Sequence, residues 1–150
     1  MSCVLTAAPG SVVRNVGTAS RIELSPTYAQ YLDVPPTILI VDDHAAFRAV
    51  VRAVLEADGY DVIGEAPDGL AGLCAARRLK PDIILLDVRL PDMDGFSVAD
   101  ELTADGSGRA VVVTSSCEDP LYPARAQSSG ALGFIAKHDV CGAALNRLLA

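Results

Sequence analysis

Beyond Pro36, short apolar runs alternate with stretches of helical periodicity five times over, and this alternation leaves few folds open to the chain. The runs are Thr37–Val41 (TILIV), Asp61–Ala66 around Val62 and Ile63, Ile83–Leu86 (IILL), Ala110–Thr114 (AVVVT) and Leu132–Ile135. Consecutive aliphatics rich in β-branched residues and bounded by turn signals read as strands buried on both faces. Between them, Phe47, Val50, Val51, Val54 and Leu55, and then Leu70, Leu73, Cys74 and Leu79, recur at helical spacing. Gly59 follows the first of these helices and Asp68 is placed to cap the second. Further helices are expected around Phe96–Thr103, up to about Ser129, and from Asp139 through Leu149. Five βα units predict an α/β fold, a five-stranded parallel sheet with helices on both faces and right-handed crossovers. The weakly apolar second strand belongs near the sheet edge.

The first 35 residues do not share this pattern. They carry Arg14, Arg21, Glu23 and Asp33, so the net charge of −7 belongs to residues 36–150. The segment lacks sustained periodicity and ends in Pro35-Pro36, which predicts a flexible extension (1–35) before one folded domain (36–150), with a short ordered piece around Ile22–Leu32. An acidic domain is a poor nucleic-acid surface, because phosphate contacts need a basic face. Arg77, Arg78 and Lys80 form the one basic cluster and read as a solvated helix end. Cys3, Cys74, Cys117 and Cys141 lack metal-ligand spacing; Cys74 and Cys141 read as small core residues on helix faces. No apolar stretch is long enough to span a bilayer, and the first residues lack a basic leader, so a cytoplasmic location without membrane contact is expected.

In a parallel sheet, ligands bind beyond the carboxyl ends of the strands. The first strand ends in Asp42-Asp43, the third in Asp87 and the fourth in Thr114, and Lys137 follows the fifth. Each has an ordinary reading: Asp43 as a helix cap, Thr114 as a β-branched strand residue, Lys137 as a solvated loop lysine or a partner of Asp139. Asp87 is harder to dismiss, since aliphatic residues run right up to it. Together they suit phosphoryl transfer to a carboxylate. Oxygen ligands alone favour a hard ion such as Mg²⁺. The three phosphoryl oxygens then find partners in the metal, the Thr114 hydroxyl and the Lys137 ammonium.

Four segments in this order, "ILIVDDH" (38–44), "IILLDVRLPDMDG" (83–95), "VVVTSS" (111–116) and "GALGFIAKHD" (130–139), resemble the response-regulator receiver domain of two-component signalling, CheY-like and flavodoxin-like in fold. The resemblance covers about residues 37–149. It implies Asp42 and Asp43 as the acidic Mg²⁺ pair and Asp87 as phosphoacceptor and metal ligand, with the Arg89 backbone carbonyl completing the protein ligands. It implies Thr114 as the switch hydroxyl, Lys137 as the phosphate-binding lysine and Phe134 as the aromatic that changes rotamer. It also implies a sensor histidine kinase as phosphodonor, slow self-dephosphorylation rather than turnover of an external substrate, and a phosphorylation-dependent homodimer as one mode of output. His44 beside the acidic pair resembles receivers that precede helix-turn-helix output domains, and no catalytic role is expected of it.

Pro91 and Gly95 read as shaping the loop after Asp87, and Asp92 and Asp94 as turn formers and caps of the next helix. The Arg89 side chain reads as a solvated loop arginine, with an effect on attack by water at the acyl phosphate as the sharper alternative. Pro120 and Pro123 in "SSCEDPLYPARAQ" predict a helix that starts late or is short, on the family's usual signalling face. No output module follows in the sequence, so a stand-alone receiver and a piece of a longer regulator both fit, and the downstream partner is open. Two other function classes remain: a receiver-like interaction module that works without phosphorylation, and a Mg²⁺-dependent aspartyl phosphohydrolase. The latter places its nucleophile after the first strand in a DxD pattern and carries a cap domain, for which no insertion here is long enough.

Overall fold

The computed structural model describes residues 4–8, 11–14 and 34–150. The chain divides into two compact units, Met1–Val34 and Pro35–Ala150. In the first, β1 (Val4–Ala8) and β2 (Ser11–Arg14) pair antiparallel with Leu5 opposite Val13. Strands this short give too few alternations to stand out as a pattern. The ordered piece expected around Ile22–Leu32 lies outside the described residues.

The second unit alternates β3 (Thr37–Val41), α1 (Ala45–Ala57), β4 (Asp61–Ala66), α2 (Gly69–Leu79), β5 (Ile83–Asp87), α3 (Gly95–Ala104), β6 (Ala110–Ser115), α4 (Tyr122–Ser128), β7 (Gly133–Ala136) and α5 (Gly142–Leu149). The strands form one parallel sheet in the order β4-β3-β5-β6-β7, with β4 at the edge as expected. The chain steps outward from β3 to β4 and then crosses back to β5. Strand order therefore reverses between β3 and β5, the place where such sheets hold ligands.

The aliphatic runs divide their side chains between two cores because successive strand residues point to opposite faces. Leu39, Val41, Ile84, Leu86, Val111 and Val113 pack with residues of α2, α3 and α4. Ile38, Ile40, Ile83, Leu85 and Val112 pack on the other face with Val51 and Leu55 of α1 and Leu145 of α5. Each fully buried aliphatic side chain contributes roughly 1.5–3 kcal/mol of transfer free energy. That anchoring makes β5 a rigid mount for the residue at its end.

Several details differ from the sequence reading. Val50 shares the helical spacing yet is 63% exposed, because adjacent Val50 and Val51 cannot both face the sheet, and Leu70 at the start of α2 is 65% exposed. Cys74 is exposed beside buried Leu73, whereas Cys141 packs partly against a core. The last strand runs one residue later than expected, leaving Leu132 43% exposed. Asp139 does not open the last helix. Lys137–Asp139 form a 3-10 turn, and extended backbone at Val140 and Cys141 delays α5 to Gly142. Its first N–H donates to Asp58 Oδ2 at the end of α1, 2.7 Å away. Helix α4 starts late and has only seven residues, with Pro123 in its first turn, where no intrahelical N–H is lost.

Candidate functional site

Asp87 ends β5 with only 3% of its surface exposed, and Thr114 lies directly opposite it on β6. The Asp87 carboxylate meets few donors. Arg89 N–H donates to Oδ1 at 3.3 Å, and Lys137 Nζ stands 3.4 Å from Oδ2. Burial, and then the neighbouring Asp42 carboxylate, push the Asp87 carboxyl above its ordinary range, while Lys137 pulls against that shift. Thr114 is 1% exposed, and its hydroxyl reaches only the Leu86 carbonyl at a long 3.5 Å. It is thus held at the site with donor capacity to spare.

Asp42 and Asp43 follow β3 directly. Asp42 Oδ1 accepts the His44 N–H at 2.8 Å. Its Oδ2 is buried, and the Lys137 ammonium stands 2.6 Å away as its close partner. Lys137 reaches inward from the turn after β7, under the Phe47 ring of α1, with Nζ 4.6 Å from the ring centre. It pairs with Asp42 and Asp87 rather than with Asp139. One ligand atom from each of Asp42, Asp43, His44 and Asp87 lies within 4.8 Å of the others. The His44 Nδ1 sits 3.0 Å from Asp43 Oδ1 and 3.3 Å from Asp42 Oδ1, closer to the acids than its neighbouring position alone suggested.

The loop after Asp87 is held from two sides. Gly95 opens α3 with its α-carbon so near the Asp87 carbonyl oxygen and the Val88 backbone that a Cβ would collide with both. Asp94 caps α3 as expected, accepting the Phe96 N–H at 3.0 Å. Asp92 does not. It reaches across to the start of α2, where its two oxygens accept Gly69 N–H at 2.7 Å and Leu70 N–H at 2.9 Å, and these bonds hold its carboxyl below the ordinary range. Nothing in local spacing marks a cap 23 residues away in sequence.

The Arg89 side chain is exposed and turns toward Tyr122, whose hydroxyl, with Cys117 next, favours its charged form; Asp87 contributes least. Tyr122 is a residue that sequence reasoning passed over. Its ring lies 5.7 Å from Phe96 and 5.6 Å from Phe134, joining α3, α4 and β7 in one tilted aromatic row. Phe134 is half-buried at the end of that row. Tyr122 lies two residues after Pro120 at the very start of α4, a helix too short to show a period, and no local pattern marks it.

A family model described as "Response regulator receiver domain" matches residues 38–142. The chain belongs to the response regulator receiver family. This receiver is 38% identical over 102 residues to the virulence-factor transcription regulator BvgA of Bordetella pertussis, covering 68% of the chain and 49% of BvgA. It is 34% identical over 113 residues to the response regulator GacA of Pseudomonas protegens, covering 75% of the chain and 51% of GacA. The chain therefore spans about half the length of these curated relatives. Among solved structures it is similar to the receiver domain of the response regulator NarL from Mycobacterium tuberculosis, with a TM-score of 0.70, 31% identity, and coverage of 77% of this chain and 98% of that one. A CheY-like receiver from Methanospirillum hungatei shares the fold, with a TM-score of 0.67 at 23% identity over 77% of this chain and 91% of that one. Among the described residues, no helix is long and apolar enough to cross a membrane.

Proposed function

We propose that this receiver is a phosphorylation switch in which Asp87 accepts a phosphoryl group from a histidine kinase, with Mg²⁺ held by Asp42, Asp43, Asp87 and the Arg89 backbone carbonyl. The observation that carries the proposal is the Asp87 carboxylate itself: buried at the end of the central strand, short of donors, and faced by Lys137 and Thr114. The residues present fit the metal. Carboxylate oxygens of Asp42, Asp43 and Asp87 lie within 4.8 Å of one another, and these three acids share the site against one lysine. When bound, Mg²⁺ would neutralise these acids and hold one oxygen of the phosphoryl group.

In the transfer, a carboxylate oxygen of Asp87 forms a bond to phosphorus as the P–N bond to the donor imidazole breaks, and the imidazole leaves with the electron pair and takes up a proton. The Asp87 side chain must be ionised to attack. Burial and Asp42 oppose that, and Lys137 favours it. Lys137, already 3.4 Å from Asp87 Oδ2, is placed to pair with a second phosphoryl oxygen, and the weakly engaged Thr114 hydroxyl to donate to the third. The pull on Thr114 is passed to its register neighbours on β7 and to Phe134, shifting the population of two arrangements of that aromatic row.

The surface this changes includes a cavity of about 920 Å³ between the loop before α4, β7 and α5, lined by Pro120, Phe134, Ala144 and Leu148 and rimmed by Glu118 and Asp139. A downstream protein, or an output segment such as the unmatched half of the relatives would supply, would read the switch there.

The test is intact mass after incubation with acetyl phosphate, with Mg²⁺ or with EDTA, alongside Asp87→Asn. A Mg²⁺-dependent gain of one phosphoryl group that Asp87→Asn loses supports the switch. No gain from either acetyl phosphate or a phosphorylated kinase, with the fold intact, favours the phosphorylation-independent module, and steady turnover of a phosphate ester favours the hydrolase.

A further inference from the structure

The end of the sheet opposite Asp87 carries a second polar cavity, built by the basic cluster that the receiver function leaves unused. Arg77 and Lys80 close α2, Asp82 precedes β5, and the Asp105–Arg109 loop leads into β6. They enclose about 410 Å³, lined by Arg77, Lys80, Asp82, Ser107, Gly108 and Arg109, with Pro81 as the sole apolar side chain. Four of the seven lining residues are charged, three of them cationic, so charge leads its recognition chemistry.

The charge is cancelled locally only in part. Asp82 Oδ2 is engaged by the Thr37 N–H at 2.9 Å and the Thr37 hydroxyl at 3.1 Å. Asp105 accepts the Ser107 N–H at 2.9 Å and lies 3.3 Å from Arg109 Nη2. One of the three cations, Arg109, is thus paired with Asp105, and Arg77 and Lys80 remain beside Asp82, which Thr37 engages. Arg109 is the decisive member. Its side chain is 9% exposed, and among the described residues its buried Nη1 has no hydrogen-bond partner. A guanidinium cannot shed its charge, so a buried N–H left without an acceptor carries the full desolvation penalty until an acceptor arrives.

We propose that this cavity binds a small tetrahedral oxyanion of the phosphate class, held by the Arg109 guanidinium together with Arg77 and Lys80. A phosphate offers an oxygen to each of three cations at once, whereas a carboxylate has only two to share, so the site discriminates by oxygen count as well as charge. The anion is either free inorganic phosphate or the phosphoryl group of a monoester, with the remainder of the ester left outside the polar lining. Nothing in this site depends on phosphorylation of Asp87.

The full chain, labelled with ¹⁵N, is titrated at constant ionic strength with inorganic phosphate, phosphoserine or acetate while the amides of Gly106, Ser107 and Gly108 are followed. Saturable shifts at those amides are expected for the two phosphates, with acetate at least about tenfold weaker. Equal binding of phosphate and phosphoserine assigns the free ion as sufficient; tighter phosphoserine binding assigns a carried phosphoryl group. Asp87→Asn should bind unchanged, which separates this site from the acidic one. Arg109→Gln should weaken binding about tenfold or more, and because Arg109 is nearly buried, the exposed Lys80→Gln provides a second variant with the same expected direction. Shifts that follow acetate and phosphate equally, or that survive both substitutions in folded protein, overturn the proposal and leave Arg109 Nη1 satisfied by water only.

Discussion

The Lys137 ammonium lies 2.6 Å from Asp42 Oδ2 and 3.4 Å from Asp87 Oδ2, so one cation serves two buried carboxylates and is nearer to the one that is not the proposed phosphoacceptor. A second cation at Asp42 would free this lysine for Asp87. Lys137→Met keeps the contact with Phe47 and removes the charge. The variant should unfold at lower urea concentration than wild type at pH 7, by about 1–3 kcal/mol, because two buried acids lose the cation they share. Added Mg²⁺ should recover much of the loss, since it binds only the folded state. Equilibrium urea curves with and without Mg²⁺ check both statements.

Asp87 makes a pH prediction. Its carboxyl is shifted upward in the fold, chiefly by burial and next by Asp42. Folding therefore disfavours the ionised form, and Asp87 lowers stability at neutral pH. That cost is relieved as pH falls through the folded-state pKa, and it is absent once pH is below the unfolded value. Asp87→Asn should raise the thermal midpoint at pH 7 in the absence of Mg²⁺, and the advantage should shrink toward acid pH. Calorimetric scans across that range decide the matter; a midpoint lowered at pH 7 would contradict it.

Asp92 should behave in the opposite way. Two N–H groups of α2 hold its carboxyl below the ordinary range, so its contribution is fully present above the unfolded pKa and is lost as pH falls through the lowered folded value. Asp92→Ala should unfold at lower urea concentration at pH 7, and its difference from wild type should narrow in acid. Because Asp92 also ties down the loop that carries Arg89, the variant should bind Mg²⁺ more weakly. Asp94→Ala, which leaves the Asp92 link in place, should weaken Mg²⁺ binding less.

Gly95 is held by sterics rather than by charge. A Cβ there meets backbone atoms of Asp87 and Val88, which cannot swing away as a side-chain end could. Gly95→Ala should cost roughly 1–3 kcal/mol or more, as overpacking against rigid structure does. It should also slow phosphorylation by displacing the Asp87 backbone. By contrast, nothing lies within 4 Å of the position a Cβ would take at Gly106, so Gly106→Asn, which tolerates the positive φ of 72°, should leave the folded state nearly as stable.

Substituting Thr114 should separate folding from the proposed switching. Its hydroxyl makes one long bond to Leu86, so Thr114→Val should change stability by less than about 1 kcal/mol. The variant should still take up a phosphoryl group at Asp87, but the environment of Phe134, read with fluorinated phenylalanine, should no longer respond to it. A response as large as in wild type would remove Thr114 from the switch.

How far the sequence could be read depended on the range of the interaction. The five aliphatic runs carry their own evidence for strands, and strand ends such as Asp87 and Thr114 follow from where those runs stop. Sheet order at the edge was legible because Asp61–Ala66 is the least apolar strand. What escaped was set by distant partners or by register. Asp92 caps a helix earlier in the chain, Lys137 chooses Asp42 over its neighbour Asp139, and Tyr122 acquires its role only when α3 and β7 are brought beside α4. Adjacent apolar pairs, Val50-Val51 and Leu73-Cys74, could not reveal which member faces the core.

The central claim is that Asp87 is the phosphoacceptor, and the most direct measurement locates the phosphoryl group. Protein treated with acetyl phosphate and Mg²⁺ is reduced with borohydride, which converts an acyl phosphate of aspartate to homoserine, and the peptides are sequenced by mass spectrometry. Homoserine at position 87, absent with EDTA or without donor, is the predicted result. Homoserine at Asp42, Asp43 or Asp92 with Asp87 intact would contradict the account.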